Sequence, residues 1–281
     1  MSVEHLTDAA AFLAAAEPLL LADEARHNLI LGVAGVVRDR PGTYPEAHFW
    51  LARERGEPVG AAMCTPPWNL ALARPRSDDV LCELVETIDA VPGVTAATPE
   101  VDAFAEQWCA RRAREARLVV AQGIYALERV VLPPRPAGSC RDADERDRPL
   151  IRAWLRAFQD EALAHERYDD EGLERILDQR LGSPHGVFCL WEDGGEPVSL
   201  AGAGARTPNG ARVGPVYTPP ERRGRGYATS LTAELSQRLL DEGSRFCFLY
   251  TDLANPTSNA IYERIGYVRV CESKELRFER R

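Results

Sequence analysis

Lysine is nearly absent from this chain. Of its 34 basic residues only Lys274 is a lysine, and the rest are arginines. A GC-rich coding bias towards Arg and Ala accounts for this without a functional cause. Positive charge is also short overall, since 43 acidic residues leave a net charge of −9. A chain without a basic face does not neutralise nucleic-acid phosphates, so nucleic acid is excluded as a general partner. The acidic balance weakly suits a cationic substrate. No apolar run is long enough to span a bilayer, and no basic-then-apolar leader opens the sequence. The expectation is a cytoplasmic protein with no membrane partner. The seven cysteines (64, 82, 109, 140, 189, 247, 271) are odd in number, scattered and free of any Cys-x-x-Cys pair. They read as reduced thiols. The five histidines include no pair at helix-face ligand spacing, so no metal site is expected.

What is present fits a folded globular chain, with 45% apolar and 27% charged residues over a length of 281 that is comfortable for two domains. The chain also repeats itself. Phe49-Trp-Leu-Ala-Arg-Glu-Arg-Gly-Glu-Pro-Val59 matches Phe188-Cys-Leu-Trp-Glu-Asp-Gly-Gly-Glu-Pro-Val198 at a constant offset of 139 residues. Both read as strand, Gly turn, strand. An offset near half the chain predicts two related domains, 1–135 and 139–281, joined through the proline-rich Pro133–Gly138 after an apolar strand over Ala126–Leu132.

The second half holds the most informative stretch. An apolar, β-prone run over Arg212–Tyr217 ends in a turn rich in Pro, Arg and Gly, and an amphipathic helix follows over Tyr227–Leu240, with Ala228, Leu231, Leu235 and Leu239 as its stripe and Gly243 as its cap. The first N–H groups of a helix have no intrahelical partner, and the helix dipole adds positive charge there. Glycines let an anion approach the backbone, so a pyrophosphate-bearing ligand is the natural occupant. Around this turn the periodicity predicts helices over Leu150–Leu163 and Glu171–Leu181 and strands over Val187–Trp191, Val198–Arg206 and Phe246–Tyr250. A helix is also predicted from Asn255 (cap) and Pro256 to Gly266, with a final strand over Tyr267–Val270. Gly202-Ala-Gly204 is no dinucleotide fingerprint, because no third Gly or helix start follows it. In the first half a helix over Val80–Ala90 opens on Asp78 and Asp79, whose carboxylates would repel phosphate.

Arg223-Gly-Arg-Gly-Tyr-Ala228, followed by Asn255-Pro-Thr-Ser-Asn-Ala-Ile-Tyr262 and Ile265-Gly-Tyr267, resembles the GNAT superfamily of N-acetyltransferases over roughly residues 139–281. The first half resembles it only through the repeat. The resemblance implies a mixed α/β (α+β) fold of two GNAT-like domains, each a twisted mixed central sheet flanked by helices, the N-terminal one a degenerate copy without the phosphate turn. It implies acetyl-CoA as acyl donor, held where the sheet splays between Arg212–Tyr217 and Phe246–Tyr250. The acceptor it implies is a primary amine of a small molecule or peptide.

Acyl transfer to an amine needs the donor held, its carbonyl polarised, the amine deprotonated and the departing thiolate protonated. The resemblance gives the first task to the N–H groups of Gly224, Arg225, Gly226, Tyr227, Ala228 and Thr229, with Arg223 before them. It gives the second to the strand end Val216, Tyr217 and Thr218. The thiolate proton falls to Tyr262, which lies about 100° around its helix from Ile261, on the side of Ser258. Asn255 and Asn259 either bind the pantetheine arm or organise the loop, Asn255 also by capping. The base stays open among Asp160, Glu161, His165, Glu166 and Asp252. A second reading, motivated by the degenerate half, is a non-catalytic acyl-CoA-binding or regulatory module. Nothing in the sequence decides the oligomeric state, and a homodimer is compatible with it.

Overall fold

A computed structural model describes residues 1–162, 169–182 and 186–280. The chain divides into two compact units. The first takes Met1–Ile124, Thr251–Ala254 and the C-terminal segment from Arg269, and the second takes Tyr125–Tyr250 and Asn255–Val268.

In the first unit the chain runs β1 (Ser2–Leu6), α1 (Ala9–Leu21), α2 (Asn28–Asp39), β2 (His48–Glu54), β3 (Glu57–Cys64), β4 (Leu70–Leu72), α3 (Asp78–Thr87), β5 (Gly93–Ala97) and α4 (Glu100–Arg112). Strands β1 to β4 are antiparallel neighbours, and β5 lies parallel to β4. The C-terminal strand β12 (Val268–Arg280) pairs antiparallel with β5, Ser273 facing Ala97 and Arg277 facing Gly93. A long strand, β6 (Arg114–Leu127), starts in the first unit and ends in the second.

The second unit repeats that order: β7 (Ser139–Asp142), α5 (Arg148–Ala162), α6 (Asp170–Asp178), β8 (Val187–Asp193), β9 (Glu196–Gly204), β10 (Gly210–Tyr217), α7 (Tyr227–Asp241), β11 (Phe246–Asp252) and α8 (Pro256–Arg264). Strands β7 to β10 are antiparallel, and β11 is parallel to β10. The strands are apolar on both faces, and successive residues point to opposite sides. Phe188 and Leu190 pack with Ile151, Leu155, Leu173 and Leu177 of α5 and α6, whereas Cys189 and Trp191 pack with Leu231, Leu235 and Leu239 of α7. The first unit is layered likewise, Phe49 and Leu51 facing α1 and α2, and Trp50 and Ala52 facing α3 and α4. Both units are therefore mixed sheets with helices on two faces.

The repeated hairpin keeps one register. Arg53 faces Pro58 and Glu54 faces Glu57, while Glu192 faces Pro197 and Asp193 faces Glu196, each pair beside a register shift. Both turns take two residues of positive φ, Arg55 and Gly56 (51° and 89°) and Gly194 and Gly195 (64° and 82°), the geometry that suits a tight hairpin.

Several boundaries move. Helix α6 stops at Asp178 rather than Leu181, although Leu181 stays buried, its N–H 2.8 Å from the Leu177 carbonyl. The expected strand over Ala126–Leu132 belongs to a longer one, Arg114–Leu127, that ends early. Val131 instead donates its N–H to the Ile265 carbonyl at 2.9 Å, and the prolines that follow cannot extend a ladder. The last strand runs to Arg280, ten residues past Val270. Its charged residues, such as Lys274 paired with Asp102 and Arg277 with Glu275, mask the two-residue period. Helix α7 ends as expected, with Gly243 at φ 104° and the Ser244 N–H bonded back to the Leu239 carbonyl.

Candidate active site

Two parallel strands that part create the site. Cα partners run Gly210–Phe246, Ala211–Cys247 and Arg212–Phe248; among the described residues no further pair joins β10 to β11, although both strands continue. Beyond Arg212 the backbone of β10 therefore borders a gap. On its other side β10 bulges off β9. Val213 faces Ala203 and Val216 faces Ala201, so three steps on β10 oppose two on β9. A bulge leaves a residue outside the ladder and re-aims its neighbours, and here Pro215 also lacks an N–H. The Val216 amide follows directly.

The strand leads into the glycine-arginine turn. Nine residues separate Tyr217 from the start of α7, including a single 3-10 turn over Pro220–Arg222. Gly224 (φ 75°) and Gly226 (φ 83°) are left-handed, a region open to glycine at little cost. A Cβ added at either would meet nothing within 4 Å. These glycines serve backbone conformation, not tight packing, and the turn stays open. Gly226 is the N-cap of α7 and offers no side chain, and the first turn carries no acid. The free N–H groups there have neither a capping side chain nor a competing carboxylate, which is the donor set an anion needs.

The surroundings hold this start in place. Tyr227 is buried and its hydroxyl donates to Asp193 in the β8–β9 turn at 2.5 Å. Ala228 is half-buried and Thr229 buried, while Gly224, Arg225 and Gly226 are exposed. Arg223 does not point freely into solvent. Its Nε donates to the Thr218 carbonyl at 2.8 Å, and its Nη2 pairs with Glu161 of α5 at 2.5 Å. Thr218 in turn bonds Ser199 through its hydroxyl at 2.8 Å. Tyr217 is buried against Trp154, with ring centroids 6.2 Å apart, and its hydroxyl lies 3.4 Å from Glu161. Burial and that neighbouring carboxylate raise the Tyr217 phenol above its ordinary pKa.

Helix α8 packs against α7. Asn255 caps it, its Oδ1 accepting the Ser258 N–H at 3.1 Å, with Pro256 at the first position. Ser258 and Asn259 are half-buried. Tyr262 packs on the same apolar cluster as Val216, Tyr227 and Ile265, with its ring edge-on to Tyr267. Ile261, one residue earlier on the helix, is half-buried and is not part of that cluster. Burial pushes the Tyr262 phenol up to about 12, and no hydrogen bond contributes to that shift.

The base candidates separate. Glu161 is committed to Arg223 and Tyr217. Asp160 is exposed on α5. Asp252 belongs to the first unit and accepts the Ala254 N–H. His165 and Glu166 lie outside the described residues. Sequence reasoning missed the Tyr227–Asp193 anchor and a contact from Arg180 to the bulge. No helix among the described residues is long and apolar enough to cross a membrane.

Comparison with known proteins bears on this geometry. Residues 149–267 match the model of the acetyltransferase (GNAT) family. A mycothiol acetyltransferase of Streptomyces coelicolor is 31% identical over 122 residues, which span 41% of this chain and 38% of that protein. A tandem GNAT protein from the clavulanic acid biosynthesis pathway superposes with a TM-score of 0.60 at 14% identity, covering 99% of this chain and 98% of that one. A GNAT-family acetyltransferase from Colwellia psychrerythraea gives 0.60 at 12% identity, with full coverage of both chains. At these identities the structural likeness concerns the fold, and it extends over both units.

Proposed function

We propose, from the match of residues 149–267 to the acetyltransferase (GNAT) family, that the protein is an acetyl-CoA-dependent N-acetyltransferase acting on a primary amine of a small molecule or peptide. The observation that carries the reading is the split between β10 and β11 beside a glycine-led helix start that lacks both cap and acid. Such a start accepts a diphosphate, and such a split accepts an extended arm.

In this reading the main-chain N–H groups of Gly224 to Thr229 hold the pyrophosphate, with Arg223 and Arg225 adding charge. The backbone of Val216, Tyr217 and Thr218 pairs with the pantetheine arm, and the Val216 amide faces the thioester oxygen, where negative charge develops. Asn255, Ser258 and Asn259 border the arm from α8. The neutral acceptor nitrogen forms a bond to the acyl carbon, the carbon–sulfur bond breaks, the sulfur takes a proton from Tyr262, and the proton that the nitrogen sheds passes to water, from which Tyr262 regains its own. Because burial keeps that phenol protonated, it enters the step as an acid. In this reading the N-terminal half of the sequence (1–135) is a degenerate copy of the C-terminal half (139–281). Its helix α3 is separated from β4 by five residues, carries Asp78 and Asp79 in its first turn and is capped by Ser77, so it takes no phosphate.

Calorimetry with coenzyme A and thiol release from acetyl-CoA across a panel of amines test the proposal. Saturable binding with turnover on one amine supports it. Binding without turnover on any amine favours a non-catalytic acyl-CoA-binding module, and no binding removes the assignment.

A further inference from the structure

Arg180 follows α6 and belongs to none of the motifs above. Its Nη1 donates to the carbonyl of Gly214 at 2.6 Å. Its guanidinium lies over the Phe188 ring, 5.2 Å from the centroid. It also fills space that two strand glycines leave. A Cβ added at Gly202 would lie 2.6 Å from Nη1, and one at Gly204 would lie 3.3 Å from Nε, its three nearest neighbours all being Arg180 atoms. Interior strand glycines mark a close approach, and Arg180 is what approaches. Gly202-Ala-Gly204 thus has a physical role: it makes a seat for a guanidinium.

The carbonyl that Arg180 takes lies where the ladder is interrupted on both sides of β10. Gly214 lies past the last β10–β11 pair and inside the bulge off β9. Its φ of 137° is open to glycine only. The next residue, Pro215, has no N–H, and the first amide after it is Val216. A charge-assisted bond to the 214 carbonyl fixes the 214–215 peptide plane, and the next plane, which carries the Val216 N–H, is hinged to it only through Pro215, whose ring already sets φ.

We propose that Arg180 is a positioning residue of the acyl-transfer site: seated against Phe188 in the hollow left by Gly202 and Gly204, it clamps the bulge so that the Val216 amide stays aimed at the donor carbonyl. The proposal rests on the acetyl-CoA reading above, and its test is independent of the unknown amine.

The probe is acetyl-CoA carrying a 13C-labelled thioester carbonyl, observed by difference infrared spectroscopy on the full chain. In the wild type the carbonyl band moves to lower frequency on binding. In Arg180→Met more than half of that displacement is lost, while the acetyl-CoA dissociation constant stays within about threefold, because the phosphate turn is untouched. Gly204→Val keeps the arginine but fills its seat, and it gives the same loss, which preserves the test if Arg180→Met does not fold. Methylguanidinium added to Arg180→Ala, which leaves the seat empty, restores part of the displacement, which a generally loosened protein would not show. A full displacement in both Arg180→Met and Gly204→Val overturns the role of Arg180. Absence of acetyl-CoA binding to the wild type overturns the functional reading instead, so the two failures are distinguishable.

Discussion

Gly226 offers the sharpest test of the phosphate turn. It is the N-cap of α7 at φ 83° and ψ 2°. An L-residue held there costs about 1–2 kcal/mol. A Cβ would meet no atom within 4 Å, so Gly226→Ala carries a backbone penalty without a packing one. At about 2–4 °C per kcal/mol for units of this size, Tm should fall by about 2–8 °C. Relief of the strain rotates the peptide that aims the first free N–H groups of the helix. Losing one hydrogen bond to a charged ligand costs about 1.5–3 kcal/mol, so coenzyme A should bind about ten- to a hundredfold more weakly by titration calorimetry. Gly243→Ala is the control. It sits at the other end of the same helix with φ 104° and an equally open Cβ position. It should lower Tm by a similar amount and leave coenzyme A binding alone. The reasoning is refuted if Gly226→Ala binds within about twofold of the wild type, or if Gly243→Ala weakens binding as much.

Three other outcomes follow from the same geometry. Tyr262→Phe should lower kcat by about a hundredfold or more and leave KM for acetyl-CoA near its original value, the signature of a lost proton donor; an unchanged kcat removes Tyr262 from the chemistry. Glu161→Gln releases Arg223 from an exposed ion pair, with 43% and 47% side-chain exposure. Such pairs are worth about 0–1 kcal/mol, so coenzyme A should bind a few-fold more tightly with Tm almost unmoved, and weaker binding would show that Glu161 does not compete for Arg223. His27 is buried, its Nδ1 within 3.0 Å of the Leu20 carbonyl and its Nε2 accepting the Arg74 N–H at 3.1 Å. Burial lowers its pKa, so the folded state resists a proton that the unfolded chain accepts near its usual value of about 6.5. Stability is therefore lost as pH falls below that value. Thermal melts between neutral and mildly acidic pH should show a steeper loss in the wild type than in His27→Gln, and parallel profiles would refute the assignment.

Much of the second unit was legible because its signals are local. The stripe Leu231, Leu235 and Leu239, the cap pair Asn255-Pro256 and the Gly243 stop each act within one or two turns, and all three stand in the fold. The hairpin repeat announced a shared register because Gly-Glu-Pro-Val fixes a turn and its flank together. What sequence reasoning missed is long-range. Arg180 meets Gly214 across 34 residues and Glu161 meets Arg223 across 62; neither spacing carries a period. The length of β12 was hidden because charged residues occupy positions that burial and ion pairs make acceptable only once β5 is alongside. The one local hint to Arg180 was a pair of glycines inside a strand, which was read only as a failed nucleotide motif.

The two corresponding helix starts show what the site demands. Helix α3 begins as stability alone would have it. Ser77 accepts the Val80 N–H at 3.4 Å, and Asp78 and Asp79 face the positive end of the dipole. A cap of this kind contributes about 0.5–2 kcal/mol and each acid about 0.3–1. Helix α7 has neither feature, and its first turn contains no acid. In their place are two ties that leave the amides bare. Tyr227 is anchored through its hydroxyl to Asp193, and Arg223 is bonded to the Thr218 carbonyl. Both act on side chains at the flanks of the turn, so neither occupies a main-chain donor. The α7 start is thus less stable than that of α3 by roughly the worth of one cap, and in the proposed reading a bound diphosphate would supply the missing acceptors. The first unit's helix start has acceptors of its own: Ser77 and the two aspartates occupy the place that the proposed reading gives to the diphosphate at α7.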